Sequence, residues 1–154
     1  MNRFDATDRQ LLHLLREDGR ASHAKLAKDV GLSAPAVGER IRKLEQAGVI
    51  LGYEANLAPS ELDLPICAFV ALAPSPGTNV ADLVERLESL RNVEELHSTA
   101  GTYSYLIKVR AQGPTDLDGF LDRLMMMPGI ERTETTMVLR THMERPVPLP
   151  FDAT

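Results

Sequence analysis

The stretch GLSAPAVGERIRKLEQAGVI, Gly31 to Ile50, decides how the first third of the chain folds. Ser33 can cap a helix with its hydroxyl, and Pro35 falls in the first turn, where its missing N–H costs no hydrogen bond. Gly48 suits the position just beyond the helix end, which often takes a left-handed conformation. The stretch therefore predicts a turn followed by a single capped helix.

The predicted helix has one apolar face and one polar face. Counted at 100° per residue, its apolar stripe comprises Val37, Ile41 and Leu44. The opposite face comprises Pro35, Glu39, Arg42 and Gln46, with Gly38 at its edge. We therefore expect the stripe to pack against other helices and the polar, partly basic face to stay accessible.

Two helices are predicted before this one. Asp5 or Thr7 can cap the first, and Ser22 can cap the second, over residues 23–30, with Gly31 in the left-handed turn after it. A short glycine turn before a capped helix with a polar outer face is typical of a helix-turn-helix motif, whose second helix enters the major groove of DNA. A plain three-helix bundle with a solvated charged face is the alternative.

Seven residues are predicted to lie nearest to bound DNA. They are Ser22, Ser33, Pro35, Gly38, Arg40, Arg42 and Lys43. Arg40 has two predicted roles, a contact with a DNA phosphate and an ion pair within the protein. Gly38 has two interpretations, because a glycine inside a helix costs about 1 kcal/mol relative to alanine. Either it lets a phosphate or base edge approach closely, or it makes room for another helix.

The formal net charge of −5 is unevenly divided, with +2 over residues 1–52 and −7 over residues 53–154. Binding of double-stranded DNA therefore belongs to the N-terminal third, because the local field matters more than the total charge. The single cysteine, Cys67, excludes an intrachain disulfide and fits a reducing cytoplasm. The sequence shows no signal-peptide pattern and no apolar run near the roughly 20 residues of a membrane span, so we expect a cytoplasmic protein.

The rest of the chain predicts an α+β domain. Strands are expected over residues 66–72, 93–100, 103–109 and 130–140, with one helix after the first strand and one after the third. This β-α-β-β-α-β order is that of the ferredoxin-like fold. The predicted limits are a helix-turn-helix domain over 1–52, a hinge over 53–64, a ferredoxin-like domain over 65–142 and an extended, proline-rich tail over 143–154.

Such a domain packs two helices on one face of its sheet and leaves the other face open. A second copy of the chain can cover the open face, which gives a symmetric dimer. Two-fold symmetry also suits DNA recognition, because two recognition helices then meet two half-sites about one helical turn apart. Both halves of the chain therefore predict a homodimer.

Three sequence blocks together resemble the Lrp/AsnC family, the leucine-responsive and asparagine regulators of bacterial and archaeal transcription. In chain order they are FDATDRQLLHLLREDGRASHAKLAKDVGLSAPAVGERIRKLEQAGVILGYEA, GTYSYLIKV and MPGIERTETTMVL. The resemblance covers nearly the whole chain and implies a helix-turn-helix, a hinge around residues 52–56 and a ligand-sensing domain of ferredoxin-like fold. It also implies dimers joined through their sheets, octamers built from dimers, and an amino acid or related metabolite bound between dimers.

The resemblance places an effector cleft at the turn between the second and third strands of the sensing domain and at the last strand. The corresponding residues are Ala100, Gly101, Thr102, Tyr103, Ser104, Thr133 and Thr135. The family commonly has aspartate where this chain has Ser104, and a hydroxyl binds a ligand ammonium group less strongly than a carboxylate does. Backbone N–H groups around Gly101 can still bind a carboxylate. The alternative is ordinary strand packing for Tyr103 and Tyr105, and β-propensity for the threonines.

Two other function classes fit parts of the pattern. Sirohaem decarboxylases resemble the same two-part fold, but this chain has no tryptophan, and His97 has no basic residue near it in the sequence. An architectural DNA-binding protein that takes no effector is the second alternative. The four histidines share no metal-ligand spacing, and no catalytic motif is present, so the sequence predicts no metal site, no cofactor and no enzymatic activity.

Overall fold

The computed structural model of the protein describes residues 4–151. The chain divides into two compact units: the first ends at Asn56 and includes the tail from Met143, and the second is Leu57–His142. The first unit contains the helices α1 (Ala6–Glu17), α2 (His23–Val30) and α3 (Ala34–Gln46). The four domain limits expected from the sequence stay predictions.

Each helix of the first unit begins at a polar capping side chain. Of the two candidates for α1, Asp5 is the N-cap: its carboxylate accepts the Asp8 N–H at 2.8 Å, and the Asp8 carboxylate accepts the Asp5 N–H at 3.3 Å. Ser22 and Ser33 cap α2 and α3 as predicted, each accepting an N–H three residues ahead. Each cap satisfies a helix-end donor and stabilises the fold by about 1 kcal/mol.

The three helices enclose a small apolar core. Its buried members are Leu11, Leu26, Ala27, Val37 and Ile41. Gly31 ends α2 with φ of 69°, a left-handed conformation that glycine adopts without strain. The chain therefore turns within three residues and begins α3 with its predicted apolar stripe already facing the core.

The tail of the chain packs on the first helix. Residues 139–149 form no regular helix or strand, and the ring of Phe151 then lies 5.9 Å from the ring centroids of both Phe4 and His13. His13 Nε2 is 2.9 Å from the Phe151 carbonyl oxygen, and the Arg9 guanidinium lies 5.7 Å from the Phe151 ring centroid. The last described residue of the chain is thus part of the helical unit.

The second unit is an antiparallel sheet with two helices, as the ferredoxin-like prediction requires. Its elements are a 3-10 turn (Pro59–Leu62), β1 (Ile66–Pro74), α4 (Val80–Glu88), β2 (Val93–Ser98), β3 (Tyr105–Ala111), α5 (Pro114–Met125) and β4 (Ile130–Met137). The strand order is β2-β3-β1-β4, with every neighbouring pair antiparallel. The α+β fold class is therefore confirmed.

Several predicted strand limits were wrong at the ends. β2 stops at Ser98 and β3 starts at Tyr105, so the connection between them is longer than the two-residue turn expected. Two hydrogen bonds close this connection into a loop. Thr99 donates its N–H to the Ser104 carbonyl oxygen at 2.8 Å and its hydroxyl to the Tyr103 carbonyl oxygen at 2.8 Å. β4 likewise ends at Met137 rather than at Arg140.

The two faces of the sheet differ in composition. The face toward α4 and α5 carries the buried residues Ala68, Val70, Leu72, Tyr105, Ile107 and Val109. The strand register places Phe69, Ala71, Leu106, Lys108 and Arg110 on the other face. There the Lys108 ammonium is 3.2 Å from Glu94 and 3.1 Å from Glu95, and its side chain is only 8% exposed. In the described part of this unit, both helices thus cover the same face.

Candidate functional site

The exposed side of α3 carries two cations that share one carboxylate. The Arg42 guanidinium donates to the Glu39 carboxylate from Nη2 at 2.7 Å and from Nε at 3.1 Å, and Lys43 Nζ lies 3.8 Å from the same group. The Arg42 contact holds the pKa of Glu39 below its ordinary value. The Arg42 and Lys43 side chains are 54% and 69% exposed, so this surface keeps net positive charge accessible to a polyanion.

Arg40 is held inside the helical unit. Its Nη1 atom lies 2.7 Å from the carboxylate of Asp5 and 2.7 Å from that of Asp8. The Asp8 N–H, and after it the Arg40 guanidinium, hold the pKa of Asp5 below its ordinary value. Of the two predicted roles of Arg40, the ion pair within the protein is present in the structure. It connects α3 to the start of α1.

The space beside Gly38 is filled by a side chain of the neighbouring helix α2. A Cβ atom built at Gly38 would lie 3.1 Å from Nδ1 and 3.2 Å from Cε1 of His23. Of the two interpretations of this glycine, the structure shows the contact between helices. The interpretation of Gly38 as a point where DNA approaches closely stays a prediction.

The serines and the proline lie at the helix starts. Ser22, Ser33 and Pro35 are exposed, and the two serine hydroxyls accept backbone N–H groups at 3.2 and 3.3 Å. A hydroxyl that accepts one hydrogen bond still has its own proton to donate. Both caps can therefore donate to a phosphate oxygen, at helix ends that already favour negative charge.

The turn of the predicted effector site is anchored at its end. The Ser104 N–H donates to Leu72 O at 3.0 Å, and the Ser104 carbonyl accepts the Thr99 N–H. Between these anchors, Ala100, Gly101 and Thr102 are exposed. The backbone groups of Ser104 are thus used within the fold, and its hydroxyl is what this residue can offer a ligand.

The two threonines lie on the opposite face of β4 from the residues that meet this turn. Thr133 and Thr135 pair in register with Leu72 and Val70, which face the helices, and the Thr133 hydroxyl donates to Met125 Sδ at 3.2 Å. The structure therefore does not group the threonines with the side chain of Tyr103 within one chain.

Tyr103 instead contacts a cation and an anion. The Arg132 guanidinium lies 5.0 Å from its ring centroid, and the hydrogen bond of its hydroxyl to Glu134 raises the pKa of Tyr103. Arg132 and Glu134 were not predicted from the sequence, because only Thr133 and Thr135 of the last strand were assigned to the effector site. The alternation of side chains along a strand was the available signal, since it puts both charged residues on the face away from Thr133 and Thr135.

Residues 4–151 contain neither a metal-binding cluster nor a membrane-spanning helix. No group of three or more His, Cys, Asp or Glu side chains in this range is placed to bind a metal ion. No helix in the same range is both long and apolar enough to cross a bilayer.

Both units match known protein families. Residues 4–45 match the AsnC-type helix-turn-helix domain, and residues 67–148 match the Lrp/AsnC ligand binding domain. The chain belongs to the Lrp/AsnC family. It is thus a transcriptional regulator with a DNA-binding helix-turn-helix and a ligand-binding domain, as the sequence blocks predicted.

Individual relatives in the Lrp/AsnC family cover most of the chain. The transcriptional regulator LrpA of Mycobacterium tuberculosis is 38% identical over 138 residues, which are 90% of this chain and 91% of LrpA. The leucine-responsive regulatory protein of Escherichia coli is 35% identical over 141 residues, 88% of this chain and 85% of that protein. Among solved structures, the M. tuberculosis feast or famine regulatory protein complexed with L-methionine has a TM-score of 0.88 at 36% identity, covering 95% and 99% of the two chains.

Proposed function

We propose that the protein recognises specific double-stranded DNA sequences through the exposed side of α3, and that an amino acid or related metabolite modulates this binding. The exposed pair of Arg42 and Lys43 on a capped helix carries the DNA part of the proposal. Because the target is DNA, we place the protein in the cytoplasm. The relatives are regulators, and we propose no enzymatic activity.

The DNA interface we propose is centred on the N-terminal half of α3. The predicted contacts are Ser22, Ser33, Pro35, Arg42 and Lys43, and Gly38 is part of the same surface. Residues at the start of a recognition helix reach base edges, whereas cations farther along reach phosphates. Arg40 has a smaller part, because two carboxylates already neutralise it.

The salt dependence of binding tests this interface. A duplex recovered from a random library by the wild-type protein serves as the probe. Each phosphate contact adds about one unit to the slope of log K against log salt, so Arg42→Ala and Lys43→Ala should each lower its magnitude by about one. Arg91→Ala, on the exposed surface of the other unit, is the control. Unchanged slopes for both α3 variants would show that the helix docks differently.

The effector part of the proposal rests on opposite charges beside the turn. An amino acid carries an ammonium and a carboxylate, and Glu134 and Arg132 offer a partner for each next to Tyr103. Ala100, Gly101, Thr102 and Ser104 add backbone and hydroxyl groups. Thr133 and Thr135 lie on the other face of β4, so in a site between two copies of the chain they would come from the second copy. The relative complexed with L-methionine supports an amino acid as the ligand.

A thermal-shift screen of the twenty amino acids tests for the effector. A ligand at 100 times its Kd stabilises the folded protein by about 2.7 kcal/mol. We expect at least one amino acid to raise Tm, and Glu134→Gln to reduce that rise. A second function is favoured by Ser104, which offers no carboxylate: an architectural DNA-binding protein without effector. A screen with no shift would favour this second function.

We also propose a homodimer joined through the open sheet face, with octamers built from dimers. Phe69, Ala71 and Leu106 form an apolar strip on that face beside the ion pairs of Lys108. Burial of such a strip favours association. Light scattering should give an even number of subunits, and Leu106→Glu should give a monomer. A wild-type monomer at micromolar concentration would rule out this assembly.

A further inference from the structure

The exposed row of α3 has a gap in its middle that α2 fills. Pro35, Gly38 and Arg42 are spaced three and four residues apart, so they lie in one row along the helix surface. Gly38 has no side chain to offer there. The His23 ring lies at that point, with Nδ1 and Cε1 3.1 and 3.2 Å from where a Cβ would be.

His23 lies at an exposed helix start and leaves its polar side-chain atoms unused within the described part of the fold. It is the first residue of α2, directly after the Ser22 cap, and it is exposed. Within residues 4–151, neither ring nitrogen forms a hydrogen bond. Arg20, Arg42 and Glu45 line the same groove as His23 and Gly38. The imidazole thus lies in a groove with charged neighbours of both signs, and both of its nitrogens are available to a ligand.

We infer that His23 contacts a base edge in the major groove, and that Gly38 is glycine in order to admit its ring. This inference rests on the proposed function, because it assumes that the Pro35–Arg42 row faces DNA. The neutral imidazole carries one donor and one acceptor, which can give a hydrogen bond to a purine N7 or take one from an exocyclic amino group. The recognition surface is therefore built by two helices, with its central side chain supplied by α2.

The glycine and the histidine make separable predictions. In Gly38→Ala the new methyl must push the ring aside by a few tenths of an ångström, which an exposed side chain permits at little cost to folding. Alanine is also the better helix former. We therefore expect Gly38→Ala to keep or raise Tm while it weakens specific binding, and a merely structural role for glycine would change the two in the same direction.

A double-mutant cycle with two DNA probes tests the inference. The probes are the duplex selected by the wild-type protein and a random-sequence duplex of equal length; the variants are His23→Ala, Gly38→Ala and the double substitution. We expect His23→Ala to weaken binding to the selected duplex about tenfold, with the random duplex and the salt slope unchanged. Gly38→Ala should do the same, and the double variant should be no worse than His23→Ala. His142→Ala, an exposed histidine in the other unit, is the matched control.

Three results would overturn the inference. If His23→Ala binds both probes like the wild type, His23 does not contact DNA. If it weakens both probes equally and lowers the salt slope, the contact is to phosphate and not to a base. If Gly38→Ala weakens binding as much in the His23→Ala background as alone, the glycine acts directly on DNA. If the wild-type protein selects no duplex from the library and does not bind the random duplex at low salt, the proposed function is refuted instead.

Discussion

Removal of the Asp5 carboxylate would test how the DNA-binding unit is held together. Asp5 does two things at once: it accepts the Asp8 N–H at 2.8 Å as the cap of α1, and it accepts Arg40 Nη1 of α3 at 2.7 Å. Loss of an aspartate cap costs about 1 kcal/mol, and an exposed ion pair adds a few tenths. Asp8 still pairs with Arg40, which limits the second loss. Asp5→Ala should therefore destabilise the helical unit by about 1–1.5 kcal/mol.

The matched variant and the pH dependence separate the contribution of the charge from that of the neutral cap. Asp5→Asn keeps a capping side chain and removes only the charge, so we expect it to lose a few tenths of a kcal/mol. The pKa of Asp5 is lowered in the folded state. Its charge therefore stabilises the fold above the unfolded-state value of about 3.9, and this part is lost as the pH falls through the lower folded-state pKa. The deficit of Asp5→Ala should be full at pH 7 and smaller near pH 3.

Urea unfolding followed by circular dichroism at both pH values is the assay. It gives the free energy of unfolding of each variant from the midpoint and slope. An Asp5→Asn deficit as large as that of Asp5→Ala would mean that the charge, and not the cap, dominates. A deficit that is the same at pH 3 and pH 7 would show that the charge of Asp5 contributes nothing, either to the cap or to the ion pair with Arg40.

Two further changes have expected outcomes. Glu39→Gln removes the carboxylate shared by Arg42 and Lys43, so its affinity for random-sequence DNA in fluorescence anisotropy should rise several-fold at low salt; a fall would refute the view that Glu39 offsets the charge of these two cations. Phe151→Ala removes the ring contacts with Phe4 and α1 and should lower the free energy of unfolding by about 1 kcal/mol. In the second case, thermal melts identical to those of the wild type would show that the tail does not support the helical unit.

Features set by local chemistry could be predicted from the sequence. A cap depends on one side chain and the N–H groups just after it, and Ser22 and Ser33 were assigned from that pattern alone. The apolar stripe of α3 likewise depends only on the 3.6-residue period. The order of strands and helices followed from the same reasoning and indicated the ferredoxin-like unit.

Features that depend on two distant segments could not be predicted in the same way. The contact of His23 with Gly38 needs the relative placement of two helices, which no periodicity gives. The pairing of Tyr103 with Arg132 and Glu134 needs the register of β4 on β1, as well as the path of the turn before β3. Sequence therefore located the candidate surfaces, and the three-dimensional arrangement assigned their side chains.

The return of Phe151 to α1 makes the two ends of the chain inseparable in the helical unit. A fragment that ends at residue 56 would lack Phe151, which packs on its first helix. A chimaera that grafts this DNA-binding unit onto another sensor would need two junctions, one near residue 56 and one near residue 143, to transfer it intact. An affinity tag appended after residue 154 would likewise lie three residues from Phe151. A fusion at that position can therefore disturb the packing of Phe151 on α1.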